Sequence, residues 1–447
     1  MVFDSNYTIP KMIRDSAEKW PEVVAQYHKI DKGGEFQPVL YREMFQFSLD
    51  VAAGLMNIGV NRGDLIGLIA DNRAEWLYTS IAINGLGAID VPRGCDATPN
   101  DLVQILGLTE IKIVFTENGS QINKIVGIKD QLPCLEKIIV FDSDVKPEIL
   151  DLAKKNNVEI IFYKDILTSG QKWRIENPGK VEAEFDKGKS EDICTIIFTS
   201  GTTGTPKGVQ LTHGGYLAQL DEIPERIYLN PGDKALSVLP VWHVFEREVE
   251  YVIMIQGGTL CYSKPVGSIL LADFKAINPH ILPAVPRVFE AVYDGVTKKM
   301  RKAGGIVLKL FNFFVGVAKL QKKMSRLMFN QNACFTRYTP VLWWILFIIP
   351  WSLLWPLYWL GDLIIFRKIK SMLGTNFRAG IAGGGAYPKI IDEFFWAIGV
   401  EIVEGYGLSE TSPIVAVRPI AAPIYRTIGS PIRGVQVRIV DPVDGFV

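Results

Sequence analysis

The junction between Ile193-Cys194-Thr195-Ile196-Ile197-Phe198 and Thr199-Ser200-Gly201-Thr202-Thr203-Gly204-Thr205-Pro206-Lys207-Gly208 constrains the fold more than any other stretch of the sequence. The first run is β-branched and aromatic and reads as a buried strand, so the polar loop emerges at a strand end. Such a loop is built to hold phosphate. Its glycines let backbone N–H groups turn inward without a Cβ clash, its hydroxyls rotate to donate, and Lys207 adds a mobile positive charge. It is not a Walker A loop, because counting from Gly201 puts Pro206 where the second glycine belongs. On composition alone the same string also reads as a surface turn.

The flanking sequence supplies a frame. Helical spacing of Met12, Ile13, Ala17 and Trp20, then of Met44, Phe45, Leu49 and Met56, precedes a buried strand expected at 65–70 and a helix at 76–86. Apolar runs at 111–115, 138–141 and 160–163 each end in polar turns, and 235–240 repeats the pattern. Strands alternating with helices at this spacing predict a doubly wound, mostly parallel α/β sheet, whose ligands sit at the carboxyl ends of the strands. The charge-rich 171–189, with Pro178-Gly179, reads as an exposed connection.

Composition narrows the function. The chain has 447 residues with Lys+Arg and Asp+Glu balanced at 48 each, so net charge indicates neither nucleic acid nor another polyanion as partner. The five cysteines form no C-x-x-C pair, which argues for a reducing compartment and against a zinc site. The first residues lack a basic segment followed by an apolar core, so a cytoplasmic protein is expected.

The middle is apolar. Residues 306–329 carry a polar line at Lys309, Asn312, Gly316, Lys319, Lys323 and Arg326, the pattern of an amphipathic helix with a basic edge. Residues 341–360 contain no charge, and five of the chain's ten tryptophans fall between Trp343 and Trp359. That length suffices for a membrane span. However, Pro350 and Pro356 are expected to interrupt the helix, and a single crossing would separate the motifs on either side of it. Arg337 on one flank and Arg367, Lys368 and Lys370 on the other suggest that both ends stay on the cytoplasmic side. The expectation is a re-entrant or interfacial insert, with 306–366 meeting the inner face of a membrane peripherally or monotopically.

A second glycine-bearing unit follows at 377–412. Gly383-Gly384-Gly385-Ala386, a helix from near Pro388 to Gly399, an alternating strand at 400–403 and the loop Glu404-Gly405-Tyr406-Gly407-Leu408-Ser409-Glu410-Thr411-Ser412 read as strand, turn, helix, strand, loop. Three consecutive glycines admit a flat ring against the backbone, and Tyr406 can stack on its other face. Glu410 beside phosphates would be repelled unless a divalent cation lay between, so Mg²⁺ is inferred. Taken singly, the glycines are an ordinary turn and Glu410 a surface acid.

The string Thr-Ser-Gly-Thr-Thr-Gly-Thr-Pro-Lys-Gly-Val at 199–209, with Gly-Tyr-Gly-Leu-Ser-Glu-Thr at 405–411, resembles the signatures of the adenylate-forming superfamily of acyl-CoA synthetases, luciferases and peptide-synthetase adenylation domains. Trp242-His243, Glu246-Arg247 and 285–290 make it most similar to long-chain fatty-acid CoA ligases. The resemblance implies the large N-terminal domain of that fold: a first subdomain at 1–190, a nucleotide and acyl subdomain at 191–300 and 371–447, and a helical apolar insertion at 301–370. It implies that Thr199, Ser200, Gly201, Thr202, Thr203, Gly204 and Lys207 embrace the pyrophosphate end of ATP, with Thr199 and Glu410 on the metal. Gly383, Gly384, Gly385 and Tyr406, with Glu404, Gly405 and Gly407 beside them, would hold the nucleotide. Ser409 would lie near the α-phosphate and the acyl carboxylate, and His243 would border the acyl pocket. His243 is not expected to act as a base, since a fatty acid is already ionised at neutral pH. The implied reaction joins a long-chain fatty acid to CoA at the expense of ATP. A carrier-protein acceptor, or a non-catalytic membrane-bound remnant, are the alternatives. The resemblance also implies a small C-terminal lid domain beyond Val447, with a bridging lysine, so a chain ending there is expected to adenylate poorly.

Overall fold

A computed structural model of the chain describes residues 3–29, 34–199, 206–264, 267–334 and 341–440. Two short strands, β1 (Val24–Lys29) and β2 (Phe36–Leu40), come first. β3 (Leu65–Ile69), β4 (Ile89–Arg93), β5 (Ile113–Thr116), β6 (Lys137–Val140), β7 (Glu159–Phe162), β8 (Ile193–Thr199) and β9 (Lys207–Thr212) then form one seven-stranded sheet in the order β7-β6-β5-β3-β4-β8-β9. β10 (Lys234–Ser237), β11 (Thr259–Tyr262), β12 (Ile281–Ala284), β13 (Ala379–Ala382), β14 (Glu401–Gly407) and β15 (Ile414–Val417) join the first two in an eight-stranded sheet, β15-β14-β13-β12-β10-β11-β1-β2. Pairing is parallel except at three edges, β1 with β2, β8 with β9 and β14 with β15. β3 is buried along nearly its whole length and reads Leu-Ile-Gly-Leu-Ile, as a parallel strand covered on both faces must.

The parallel, layered α/β architecture therefore agrees with the expectation from sequence. The sheets are coupled through helices held between them. The helix Val244–Met254 touches β11 on one side. On the other side its Arg247 reaches Asp90 of β4 at 2.6 Å and Thr195 of β8 at 2.9 Å. The carboxyl ends of both sheets also meet. Asn72, just past β3, donates to Ser237 Oγ and to the Leu239 carbonyl and accepts from the Val241 amide. The Arg93 guanidinium lies 4.3 Å from the Trp242 ring centroid. The segment that delivers His243 is thus held by residues from the opposite sheet.

Three expectations are corrected. Residues 171–189 are largely exposed, as expected, but they are helical: the helix Tyr163–Glu176 runs into them, and a second helix, Lys180–Asp186, buries Val181 and Phe185. These two apolar residues stand four apart among charges, and the Phe185 ring fills the space beside Gly85, where a Cβ would come within 2.1 Å of it. Pro350 and Pro356 do not break the apolar helix, which is continuous from Val341 to Gly361 and passes into a π-helical turn at Asp362–Phe366. Residues 404–407 are strand rather than loop, because β15 pairs with them.

The helices Gly305–Met328 and Val341–Gly361 pack on each other, and Trp351 Nε1 donates to Ser325 Oγ at 2.7 Å. Part of the expected basic edge faces the protein: Lys319 pairs with Glu393 at 2.9 Å, and Arg326 stacks 3.8 Å from the Tyr425 ring centroid. This hairpin emerges after β12 and the chain returns at β13, its hydrogen-bonded neighbour. The excursion begins and ends in one sheet, so it makes no single crossing of a bilayer.

Candidate active site

Thr199 and Lys207 are cross-strand partners at the end of the β8–β9 pair, so they form the base of the glycine-rich loop. Ser200, Gly201, Thr202, Thr203 and Gly204 lie outside the described residues. β9 contacts the turn Ser409–Thr411. The helix His213–Leu220, capped at its start by the Thr212 hydroxyl, locks the two segments together. Gln219 donates to the Thr411 carbonyl at 2.8 Å and accepts from the Ile414 amide at 2.9 Å. Gly215 must be glycine here, since a Cβ would stand 2.5 Å from Ser412 Oγ. Ser412 itself has a left-handed φ of 69°, a conformation an L-residue keeps only when its surroundings impose it. Two stretches some two hundred positions apart in sequence, from different sheets, therefore meet.

Behind this meeting point lies an apolar cavity of about 240 Å³. Gly383, Gly384, Gly405, Tyr406, Gly407 and Ser409 line one side of it. His243 and the helix that it caps line the other, with Ile223, Ile227, Ile281 and Ile381 also contributing to the wall. Gly383 approaches Phe245 so closely that a Cβ would lie 2.8 Å from its ring, and Gly384 holds φ at 75°. These are steric and conformational reasons for the glycines at this wall. Gly385 belongs instead to a second, more polar hollow with Pro286, Arg287, Glu290 and Asp294, so the glycine turn separates two spaces.

The electrostatics of the predicted residues differ. His243 Nδ1 accepts from the Phe245 amide at 3.2 Å as the helix N-cap, and burial lowers its pKa, so it is neutral at pH 7. Glu404 is turned into the fold, accepting from the Tyr387 amide at 3.2 Å and facing Arg418 at 3.6 Å; burial raises its pKa. Glu410 is exposed and makes no ion pair among the described residues. The hydroxyl of Thr199 and the carboxylate of Glu410 are hard oxygen donors, the type that Mg²⁺ prefers, so this pair fits the inferred metal. His213, four residues beyond the first signature, is buried with its pKa lowered to about 4 and accepts from the Ile9 amide; its part is structural.

A family model described as AMP-binding enzyme matches residues 13–446. The chain belongs to the AMP-binding enzyme family. Among curated relatives, it is 32% identical over 455 residues to the probable acyl-activating enzyme 16, chloroplastic, of Arabidopsis thaliana, covering 98% of this chain and 61% of that protein. It is also 32% identical over 452 residues to a chloroplastic long-chain-fatty-acid–[acyl-carrier-protein] ligase of the same plant, covering 97% and 60%. The chain thus spans about three fifths of the length of these relatives. Among solved structures, a long-chain-fatty-acid-CoA ligase from Archaeoglobus fulgidus shares the fold at TM-score 0.65 and 16% identity, over 100% of this chain and 73% of that one.

Within this AMP-binding fold, sequence reasoning missed Gln219, whose bridging of the two signatures leaves no trace in residue pattern. It also missed Glu248 in the cavity wall, although a glutamate inside the run 244–254 was a visible anomaly. The reasoning against a zinc site rested on spacing, and the fold brings Asp71, Cys95 and Glu117, each just past the end of a parallel strand, within 4.8 Å of one another. The Cys95 thiol donates to Glu117 there, and burial pushes it upward.

Proposed function

We propose that the protein activates a long-chain fatty acid with ATP, forming an acyl adenylate and pyrophosphate, and passes the acyl group to the thiol of CoA. The observation that carries this reading is the contact between β9, which follows the glycine-rich loop, and the turn Ser409–Thr411, whose Ser409 lines an apolar cavity. A loop sequence suited to phosphate and an apolar cavity, linked through this turn, suit a molecule with a carboxylate at one end and a hydrocarbon tail at the other.

The fatty acid enters as carboxylate, so no base is needed. One carboxylate oxygen forms a bond to the α-phosphorus while the bond from that phosphorus to the bridging oxygen of pyrophosphate breaks, and pyrophosphate leaves with the electron pair. Catalysis then rests on alignment and on neutralising charge. Lys207 and Thr199 act on the departing phosphates, Ser409 orients the α-phosphate and the carboxylate, and Tyr406 with the glycines at 383–385 holds the adenine. Thr199 and Glu410 would hold Mg²⁺, which when bound neutralises phosphate charge. His243, neutral at the cavity mouth, guides the first carbons of the chain.

The test is exchange of labelled pyrophosphate into ATP. Exchange that requires a long-chain fatty acid, and that falls about a hundredfold in Glu410→Ala without loss of thermal stability, is the expected result. Exchange independent of fatty acid, or equal in the variant, overturns the assignment. A carrier protein as acceptor is a second reading, favoured by the similarity to a relative named as an acyl-carrier-protein ligase. Competition between CoA and acyl carrier protein for the labelled acyl group separates them.

We further propose that the Gly305–Met328 and Val341–Gly361 hairpin docks on a lipid surface without crossing it. Its outer face exposes Ile345, Ile349, Leu353 and Trp355, and a 33-residue apolar helix, Val341–Leu373, has none of its most apolar stretch buried in the protein. Arg367, Lys368 and Lys370 stand at its end, where anionic headgroups would lie. Removal of 341–366 is expected to release the protein from membranes into the soluble fraction; a protein that is soluble when intact refutes docking.

A further inference from the structure

The cavity wall contains one residue that an ordinary fatty acid does not call for. Along the helix Val244–Met254, the cavity-lining residues fall in two rows, Val244, Glu248 and Val252, and Phe245, Val249 and Ile253, each with a spacing of four. Positions four apart lie on one face, about 6 Å from each other along the axis. Glu248 is therefore the midpoint of an otherwise apolar stripe.

Its environment supplies nothing for it. Glu248 is 0% exposed, and neither carboxyl oxygen has a hydrogen-bond partner among the described residues. Glu246 and Glu250 on the same helix are likewise buried without a hydrogen-bond partner among the described residues, but of the three only Glu248 lines the cavity. Burial alone raises the Glu248 pKa well above that of an ordinary carboxyl, with no cation to oppose it. Burial favours its uncharged form, which has one donor and free acceptor capacity. A buried polar group without partners is costly, and a valine or alanine at 248 would complete the apolar wall. The anomaly makes sense if the partner arrives with the substrate.

Resting on the reading of this cavity as the acyl pocket, we propose that Glu248 selects a fatty acid bearing a hydroxyl group partway along its chain. A hydroxyl is neutral, so it enters an apolar cavity without an unpaired charge. It donates to the Glu248 carbonyl oxygen and accepts from the Glu248 O–H. A hydrocarbon chain leaves both unsatisfied. A site built around a substrate hydroxyl discriminates strongly against the analogue that lacks it.

The measurement is equilibrium dialysis of the intact protein, with AMP present, against octadecanoic acid and its mid-chain monohydroxy isomers. Wild type is expected to bind one isomer at least about tenfold more tightly than the parent acid. Glu248→Gln is expected to keep that preference, and Glu248→Leu to abolish or reverse it. Glu248→Leu should melt at or above the wild-type temperature, because it removes an unpaired buried acid, so misfolding does not mimic the result. Parent acid binding as tightly as every isomer, a preference that survives Glu248→Leu, or tighter binding of an amino-substituted acid each overturns the proposal. If no acid binds at all, the acyl-pocket reading fails and takes this one with it; if acids bind without the preference, only the role of Glu248 fails.

Discussion

Two helices in this molecule invert the usual distribution of polarity, in opposite directions. The helix Val244–Met254 buries Glu246, Arg247, Glu248 and Glu250 completely, whereas the helix Val341–Gly361 holds Ile345, Ile349 and Leu353 in the open. Neither arrangement is stable unless something compensates it. In the first helix the compensation is internal for Arg247, which is ringed by Asp90, Thr195, Ser80 and Tyr251 at 2.6–3.0 Å. In the second the protein provides nothing, and the compensation has to come from outside. Buried charge with partners marks a joint, and apolar surface without a cover marks a contact yet to be made.

The largest expected effect tests the joint. Arg247→Met leaves Asp90 buried at 0% exposure without its cation, and breaking one side of such a pair typically costs about 3–5 kcal/mol. Chemical denaturation should show a loss of that order, and Arg247→Met with Asp90→Leu should recover most of it. If Arg247→Met is as stable as wild type, the two sheets are not coupled through this pair.

The next effect concerns the acids on the same helix. Burial pushes the Glu250 carboxyl up to about 8. The unfolded chain releases that proton near the ordinary glutamate value, about 4.3, while the folded protein keeps it until near 8. Between those values the folded state binds more protons, so stability is full at the acid end and declines as pH rises through the window. Melting temperature should therefore fall from pH 6 to pH 9, and Glu250→Gln, which keeps the side chain's size but cannot ionise, should flatten that slope. An unchanged slope would mean that Glu250 is ionised throughout. Glu246 and Glu248 are shifted in the same direction by burial, so part of the slope persists in the single variant.

For the apolar helix, Ile349→Ser with Leu353→Ser removes two side chains that are 69% and 71% exposed. Stability in water should change by less than about 0.5 kcal/mol, as for ordinary surface positions. Binding to anionic vesicles should weaken roughly tenfold to a hundredfold, since a fully transferred side chain of this kind is worth about 1.5–3 kcal/mol. Equal vesicle binding would assign the face to a protein partner or to none.

Sequence pattern showed these two regions unequally. The glycine strings, the alternation of strands and helices and the twenty-residue apolar run are local, and each is written in consecutive residues. Thr199 and Lys207 were readable as parts of one site because they stand in one short glycine-rich string. What stayed hidden depends on chain segments far apart: Asn72 holding the approach to His243, Gln219 tying Thr411 to Ile414, and Arg247 finding Asp90 across 157 positions. Glu404 is a different case. Its place in the signature suggested the nucleotide, and its carboxylate is turned toward Arg418 and Tyr387. The prolines misled for a related reason. Each removes one backbone donor, yet the helix Val341–Gly361, packed on its partner helix, continues through both.

That packing carries the smallest of the expected effects, and it decides how rigid the exposed face is. Trp351 Nε1 donates to Ser325 Oγ, the polar tie described between the two helices of the hairpin, in a setting otherwise held by apolar contact. Trp351→Phe keeps the ring against the neighbouring helix and deletes the donor, so the cost should be about 1 kcal/mol. Because the helix Val341–Gly361 leaves most of its surface outside the core that the helix Gly305–Met328 joins, that loss should appear as local opening and not as global unfolding. Limited proteolysis should cut within the described residues 329–334 several times faster in the variant, while the global melting temperature stays within a degree or two. A global shift instead would show that the hairpin unfolds together with the sheets. The apolar face would then be an integral layer of the core and not an appendage, and its exposure would demand a permanent cover, not a reversible one.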